Sequence, residues 1–257
     1  MFRFASLGSG SRGNATLVQS EHTTLLIDCG YSVKEVIKRA ALLNVDLAET
    51  DALLLTHEHF DHRKGIGALS RHFNIPVWMT YGTYRAIDIG EIADLCLFHS
   101  TNERFTIGDI DFIPTIVPHD AKEPTQFIFE HNDLTLGLLT DLGKKTPYLV
   151  DKYSKLNALL IECNYDQKML EEGPYSKSLI ARVGGKYGHF SNDQAADFLL
   201  SIDYFQLCHL VIGHISEKNN EPEIIRRTLS KAIPNVTNYL TILEQDRISN
   251  WFDIRAQ

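Results

Sequence analysis

The chain has 257 residues, 44% of them hydrophobic, which is enough for a large core in a single α/β domain. Its 25 basic residues stand against 33 acidic ones, a net charge of −8, so a wholly basic nucleic-acid binder is disfavoured while a local basic strip beside a metal site is not. The four cysteines form no C-x-x-C pair, and no run approaches the roughly 18 apolar residues of a membrane span, so disulfide, thiolate-zinc and transmembrane designs are not expected.

In chain order, RFASL (3–7) and TTLLID (23–28) read as strands framing a glycine-serine loop. Strand-length apolar runs follow at DALLLT (51–56), IPVWMT (75–80), DIDFIPTIV (109–117), TQFIFE (125–130), LTLGLLT (134–140), NALLIE (157–162) and CHLVIG (208–213). Helical spacing is present at 33–43, 64–73, 82–90, 192–202 and 221–233. Strand-rich order with interspersed helices suggests packed sheets with helices outside. The opening MFRFASLGSGS has no basic segment leading into an apolar one, so no signal peptide is expected and the cytoplasm is the expected compartment.

The strongest motif is THEHFDH at 56–62, straight after the apolar run ALLL. It places three imidazoles and a carboxylate, His57, His59, Asp61 and His62, within six residues. Such groups are costly to bury without partners. On a loop leaving a strand, His57 and His59 can aim at one point while Asp61 and His62 aim at a second. Nitrogen and oxygen donors suit zinc, manganese or iron rather than calcium. Further ligand types sit at comparable strand ends: His119 after Val117, Asp141 after LTLGLL and His214 after HLVIG. Strands sharing a direction would bring them to one rim.

An H-x-H-x-D-H array followed by a lone His, a lone Asp and a final His resembles the metallo-β-lactamase fold. That likeness implies an α/β protein, an αββα sandwich of two mixed β-sheets with helices on the outer faces. It covers essentially all of 1–257. Carried over motif by motif, it implies one ion on His57, His59 and His119, a second on Asp61, His62 and His214, and Asp141 bridging them. Asp28 in LLIDCG would brace the metal loop. Within the superfamily, the pieces SLGSGSRGNAT, LLIDCG, THEHFDH, IVPHD, LLTDLG, LIECNYD, GHFSND and GHISEKNN resemble the bacterial YycJ (WalJ)-like group. This implies a cytoplasmic nuclease with two divalent ions per chain (zinc, manganese or iron), acting on DNA with 5′-to-3′ exonuclease character. About 73 residues separate Asp141 from His214, too few for an inserted β-CASP domain.

A dinuclear site would supply an attacking bridging hydroxide, with Asp61 and Asp141 holding it for in-line attack. Glu162 ends the run LLIE, and His189 precedes SNDQAADFLL, where Ser191 or Asn192 is a good N-cap. A carboxylate partner would hold His189 as an imidazolium able to protonate the leaving group. A similar Glu and G-H-x-[ST] pairing occurs in the tRNA-processing ribonuclease Z enzymes. The competing reading is a structural hydrogen bond.

The loop SLGSGSRGN (6–14) offers Ser9, Ser11 and nearby Asn14 to a phosphate, or is a plain hairpin turn. The acid-free segment 173–191 carries Lys177, Arg182 and Lys186 for backbone phosphates, with Tyr175 and Tyr187 for bases, or is a solvated basic loop. The alternatives to a DNA exonuclease are a small-molecule metallohydrolase of thioesterase or lactonase type, an RNA-processing nuclease, and a non-catalytic regulator. No membrane partner is expected, and the oligomeric state is open.

Overall fold

The computed structural model of the protein describes residues 1–99 and 103–256. Two seven-stranded sheets face each other. The first is built from β1 (Phe2–Gly8), β2 (Ala15–Ser20), β3 (Thr24–Ile27), β4 (Ala52–Leu55), β5 (Val77–Thr80) and β6 (Leu95–Phe98). The second holds β7 (Phe105–Ile107), β8 (Ile110–Ile116), β9 (Thr125–His131), β10 (Leu134–Leu139), β11 (Ala158–Glu162), β12 (His209–Gly213) and β13 (Leu240–Ile242). The last strand, β14 (Phe252–Asp253), returns to the first sheet beside β1. Strand orders are β14-β1-β2-β3-β4-β5-β6 and β13-β12-β11-β10-β9-β8-β7. Each sheet is antiparallel on one side and parallel on the other: β3 to β6 run parallel in the first, β10 to β13 in the second.

The helices are α1 (Val33–Ala41), α2 (Phe60–Arg63), α3 (Ile66–Phe73), α4 (Tyr81–Ala86), α5 (Pro147–Lys152), α6 (Gln167–Glu172), α7 (Lys177–Val183), α8 (Asn192–Ser201) and α9 (Pro222–Ala232). Period-2 alternation sends successive strand side chains to opposite faces, and both faces are covered. Leu54 and Leu160 point into the space between the sheets with Phe4, Phe112, Phe127 and Phe129. Their neighbours Leu53 and Leu55 pack outward against Val36 and Ala40 of α1 and Ile66 and Leu69 of α3. On the other side Leu159 and Ile161 meet Phe198 and Leu199 of α8 and Ile225 and Leu229 of α9. The layers are therefore helix, sheet, sheet, helix, the architecture expected from the sequence.

All nine strand runs anticipated from the sequence contain or overlap a strand, but β2, β6, β7, β13 and β14 were not anticipated, nor were helices α2, α5, α6 and α7. The α8 start is a full capping box: Ser191 Oγ accepts from Gln194 N at 3.1 Å and Gln194 Oε1 accepts from Ser191 N at 2.9 Å. Asn192 is instead engaged in a reciprocal amide pair with Asn220 (2.9 and 2.8 Å).

Candidate metal centre

The first sheet delivers one half of the site. Beyond the end of β4, residues 56–59 lead into α2, whose single turn carries Asp61 and His62. Asp28, just past the end of the parallel neighbour β3, binds this segment from behind. Its carboxylate accepts from Thr56 N at 2.9 Å, from Thr56 Oγ1 at 2.9 and 3.0 Å, and from His62 Nδ1 at 2.7 Å. That last bond fixes the tautomer and turns Nε2 of His62 toward Asp61 Oδ2 and Asp141 Oδ2, each 3.5 Å away.

The second sheet delivers the other half from the loops after β8, β10 and β12 and from the last residue of β11. His119 Nδ1 donates to the carbonyl of Gly188 at 3.0 Å, leaving Nε2 3.2 Å from His59 Nδ1. Glu162, fully buried, accepts from Asp141 N (3.1 Å), Leu142 N (3.0 Å) and Phe190 N (2.8 Å), and lies 3.2 Å from His189 Nδ1. His214 Nε2 stands 3.3 Å from Asp141 Oδ1 and 3.6 Å from Asp61 Oδ2.

Asp28, Asp141 and His214 share one backbone property: φ of +60°, +58° and +50°. Non-glycine residues enter this left-handed region at a cost of order 1 kcal/mol or more each. Each has its amide captured: Asp28 N by Leu54 O (2.8 Å), Asp141 N by Glu162, and His214 N by Ser9 Oγ (2.8 Å). The two G-H-hydrophobic-Ser segments, 188–191 and 213–216, both need their glycine for close approach. A Cβ on Gly188 would sit 2.0 Å from Val183 O, and one on Gly213 would sit 2.8 Å from Ser9 Oγ.

Residues 8–148 match the metallo-beta-lactamase superfamily. The chain is 34% identical over 235 residues to an exodeoxyribonuclease YycJ of Bacillus anthracis, covering 90% of this chain and 88% of that one. It is 30% identical over 234 residues to an exodeoxyribonuclease WalJ of Streptococcus pneumoniae, covering 89% and 87%. The chain belongs to the metallo-β-lactamase superfamily. In fold it is similar to the metallo-β-lactamase fold protein YhfI from Bacillus subtilis, with a TM-score of 0.74 at 15% identity over 96% of this chain and 98% of that one. Membership, fold and the donor clusters make the chain a metal-dependent hydrolase.

The donors of this metallo-β-lactamase centre fall into overlapping sets whose ligand atoms lie within 4.8 Å of one another: His57, His59 and His119; Asp61, His62 and His214; His57, His62 and Asp141. The structure brings together the residues that the resemblance assigned to each ion, and the third set places Asp141 beside one histidine from each. The residues fit divalent ions on two further grounds. Among the described residues His57 Nε2 is buried with no hydrogen-bond partner, and His214 Nε2, though 3.3 Å from Asp141 Oδ1, makes no hydrogen bond either, a cost that a coordinated cation would relieve. The buried carboxylates also call for positive charge. Burial alone would push Glu162 up, yet His189 and His214 hold it at about 2, and burial alone would push His214 down, yet Asp141, Asp61 and Glu162 raise it to about 10. A fourth set, Asp141, Glu162, His189 and His214, is equally close, so His189 stands at the edge of the donor cluster.

The centre opens into a cavity of about 480 Å³. His59, Asp61, Asp141, His189 and His214 line it, as do Ser11 and Arg182 among the residues expected to meet phosphate. Ser9, Asn14 and Lys186 are not among its lining residues. Ser9 and Asn14 are buried beneath the site: Ser9 holds His214, and the Asn14 amide donates to Gly10 O at 3.0 Å while lying 3.2 Å from His62 Nε2. They support ligands rather than face substrate. Lys186 and Tyr187 are exposed on the surface outside the cavity, the Tyr187 ring lying 5.8 Å below Lys144 Nζ.

Sequence reasoning overlooked several residues here. Asp120 accepts from Arg182 Nε at 2.6 Å and so sets the guanidinium at the cavity beside His119. Asn164 donates to the His214 carbonyl at 2.8 Å. Asp120 sits in the quoted IVPHD and Asn164 in LIECNYD, so the motifs contained them, but only the folded contacts assign them a task.

Proposed function

We propose that this chain is a two-metal phosphodiesterase, a cytoplasmic 5′-to-3′ exonuclease acting on DNA. The names of the YycJ and WalJ relatives support the substrate class. The observation that carries the chemistry is the Glu162–His189 pair, 3.2 Å apart: His189 lines the cavity with Asp141 and His214, and Glu162 is buried behind it. His57, His59 and His119 would hold one ion and Asp61, His62 and His214 the other, with Asp141 between them. When bound, such a pair supplies Lewis acidity that activates water at neutral pH and neutralises phosphate oxygens.

The protein's own groups do the rest. Asp61 and Asp141 accept from the attacking water and orient it in line with the scissile bond. Arg182, fixed by Asp120, pairs a non-bridging phosphate oxygen. His189 donates through Nδ1 to Glu162, which leaves Nε2 to give a proton to the departing alkoxide. Glu162, accepting at Nδ1, holds the ring in that orientation.

The reading is tested by offering metal-loaded protein end-labelled DNA, end-labelled RNA, a generic phosphodiester and a thioester. Stepwise loss of nucleotides from the 5′ end of DNA is expected; thioester hydrolysis without phosphodiester cleavage would overturn it. The division of labour has its own check. His214→Ala loses metal, whereas His189→Ala keeps both ions and loses about 10²–10⁴-fold in kcat. Equal metal loss in the two variants would make His189 a ligand instead.

A further inference from the structure

We infer that Phe60, Tyr175 and one side of α7, which all line the cavity, form a stacking site for the base of the terminal nucleotide, indifferent to which base it is. The inference rests on the nuclease reading and adds to it a residue-level account of how an end is gripped.

Phe60 lies between His59 and Asp61 in the sequence, lines the cavity, and is 62% exposed. Arg63 and Lys64 place cationic groups 5.8 and 5.7 Å from its ring centroid, so the ring is flanked by charge that also suits a phosphate chain. Helix α7 contributes no buried residue to the core, yet it carries Leu179 and Val183 four positions apart, on one face, and both line the cavity. Tyr175 and Leu170 extend the same lining. An apolar helix face that the core does not use is therefore turned onto the same cavity as the metal ligands.

The cavity, about 480 Å³, falls in the size range of small-ligand sites, roughly 300–1,000 Å³. Its apolar lining offers ring faces and aliphatic carbon; of the polar groups on the same elements, Arg182 is bonded to Asp120 at 2.6 Å, which leaves the Tyr175 hydroxyl and gives stacking little donor–acceptor code. Stacking on aromatic side chains is tolerant of sequence because every base has a π-face.

The test is a binding measurement, which separates this inference from the catalytic one. The four deoxynucleoside 5′-monophosphates and deoxyribose 5-phosphate are titrated into the metal-loaded enzyme by calorimetry. The four nucleotides should bind within about threefold of one another and about tenfold more tightly than the sugar phosphate, in line with one stacked base. Phe60→Ala and Tyr175→Ala should each erase most of that advantage, and Phe60→Trp should retain it. Equal binding of deoxyribose 5-phosphate, an advantage that survives both alanine variants, or strong preference for one base would overturn the stacking site. Protein that binds nucleotides in this pattern but degrades no DNA would refute the nuclease reading alone, and protein that degrades DNA without a base advantage would refute this inference alone.

Discussion

Ser9 shows how much a single hydroxyl does at this centre. It sits in the loop after β1, in the first sheet, and accepts the amide of His214 from the second, at a residue whose φ is +50°. Removing it leaves a buried N–H without a partner, a cost of about 1–3 kcal/mol, and frees a ligand-bearing backbone to leave its left-handed conformation. Ser9→Ala should therefore lower metal affinity by about tenfold or more, as loss of an outer ligand support does. A metal titration with a chromogenic chelator, alongside a thermal melt, checks both effects. Unchanged metal affinity would mean that Asn164 alone suffices to hold His214. The sequence made the ligand types legible, because histidines and aspartates clustered after apolar runs have few other uses. It did not make Ser9, Asn14, Asn164 or Asp120 legible in their tasks, since a serine in a glycine-rich loop looks alike whether it faces a phosphate or a backbone amide.

At the scale of elements, legibility followed burial. β4, β11 and β12 read as continuous apolar runs because both of their faces are covered. β2 (ATLVQS) mixes polar with apolar side chains, and β13 and β14 are only three and two residues long, so no period could mark them. Helix α7 was hidden for another reason: with none of its residues buried, it has no core stripe to reveal it. The same property fixes its behaviour. A helix held by so little buried surface opens locally at low free energy, while central strands exchange only near global unfolding. Amide hydrogen exchange should show residues 177–183 exchanging early and β11 and β12 last. Binding a nucleoside monophosphate at the cavity should slow exchange in α7 and leave the central strands unaffected.

For the whole molecule, the ligands divide between the sheets. His57, His59, Asp61 and His62 follow β4, whereas His119, Asp141 and His214 follow strands of the other sheet, so both proposed ion positions take donors from both. Neither sheet alone can assemble a complete set, and about 150 residues lie between the first ligand run and the last histidine. Contacts so distant in sequence form late, because loop closure must precede their reward. Held as proposed, the metal would work as a staple across the two halves, closing only when they have docked and strengthening the docked state by mass action. Chelation should lower the melting temperature markedly, while refolding followed by tryptophan fluorescence should begin at the same rate with or without zinc. Metal uptake should coincide with the slowest folding phase, so that the ion marks the moment at which the chain has finished folding.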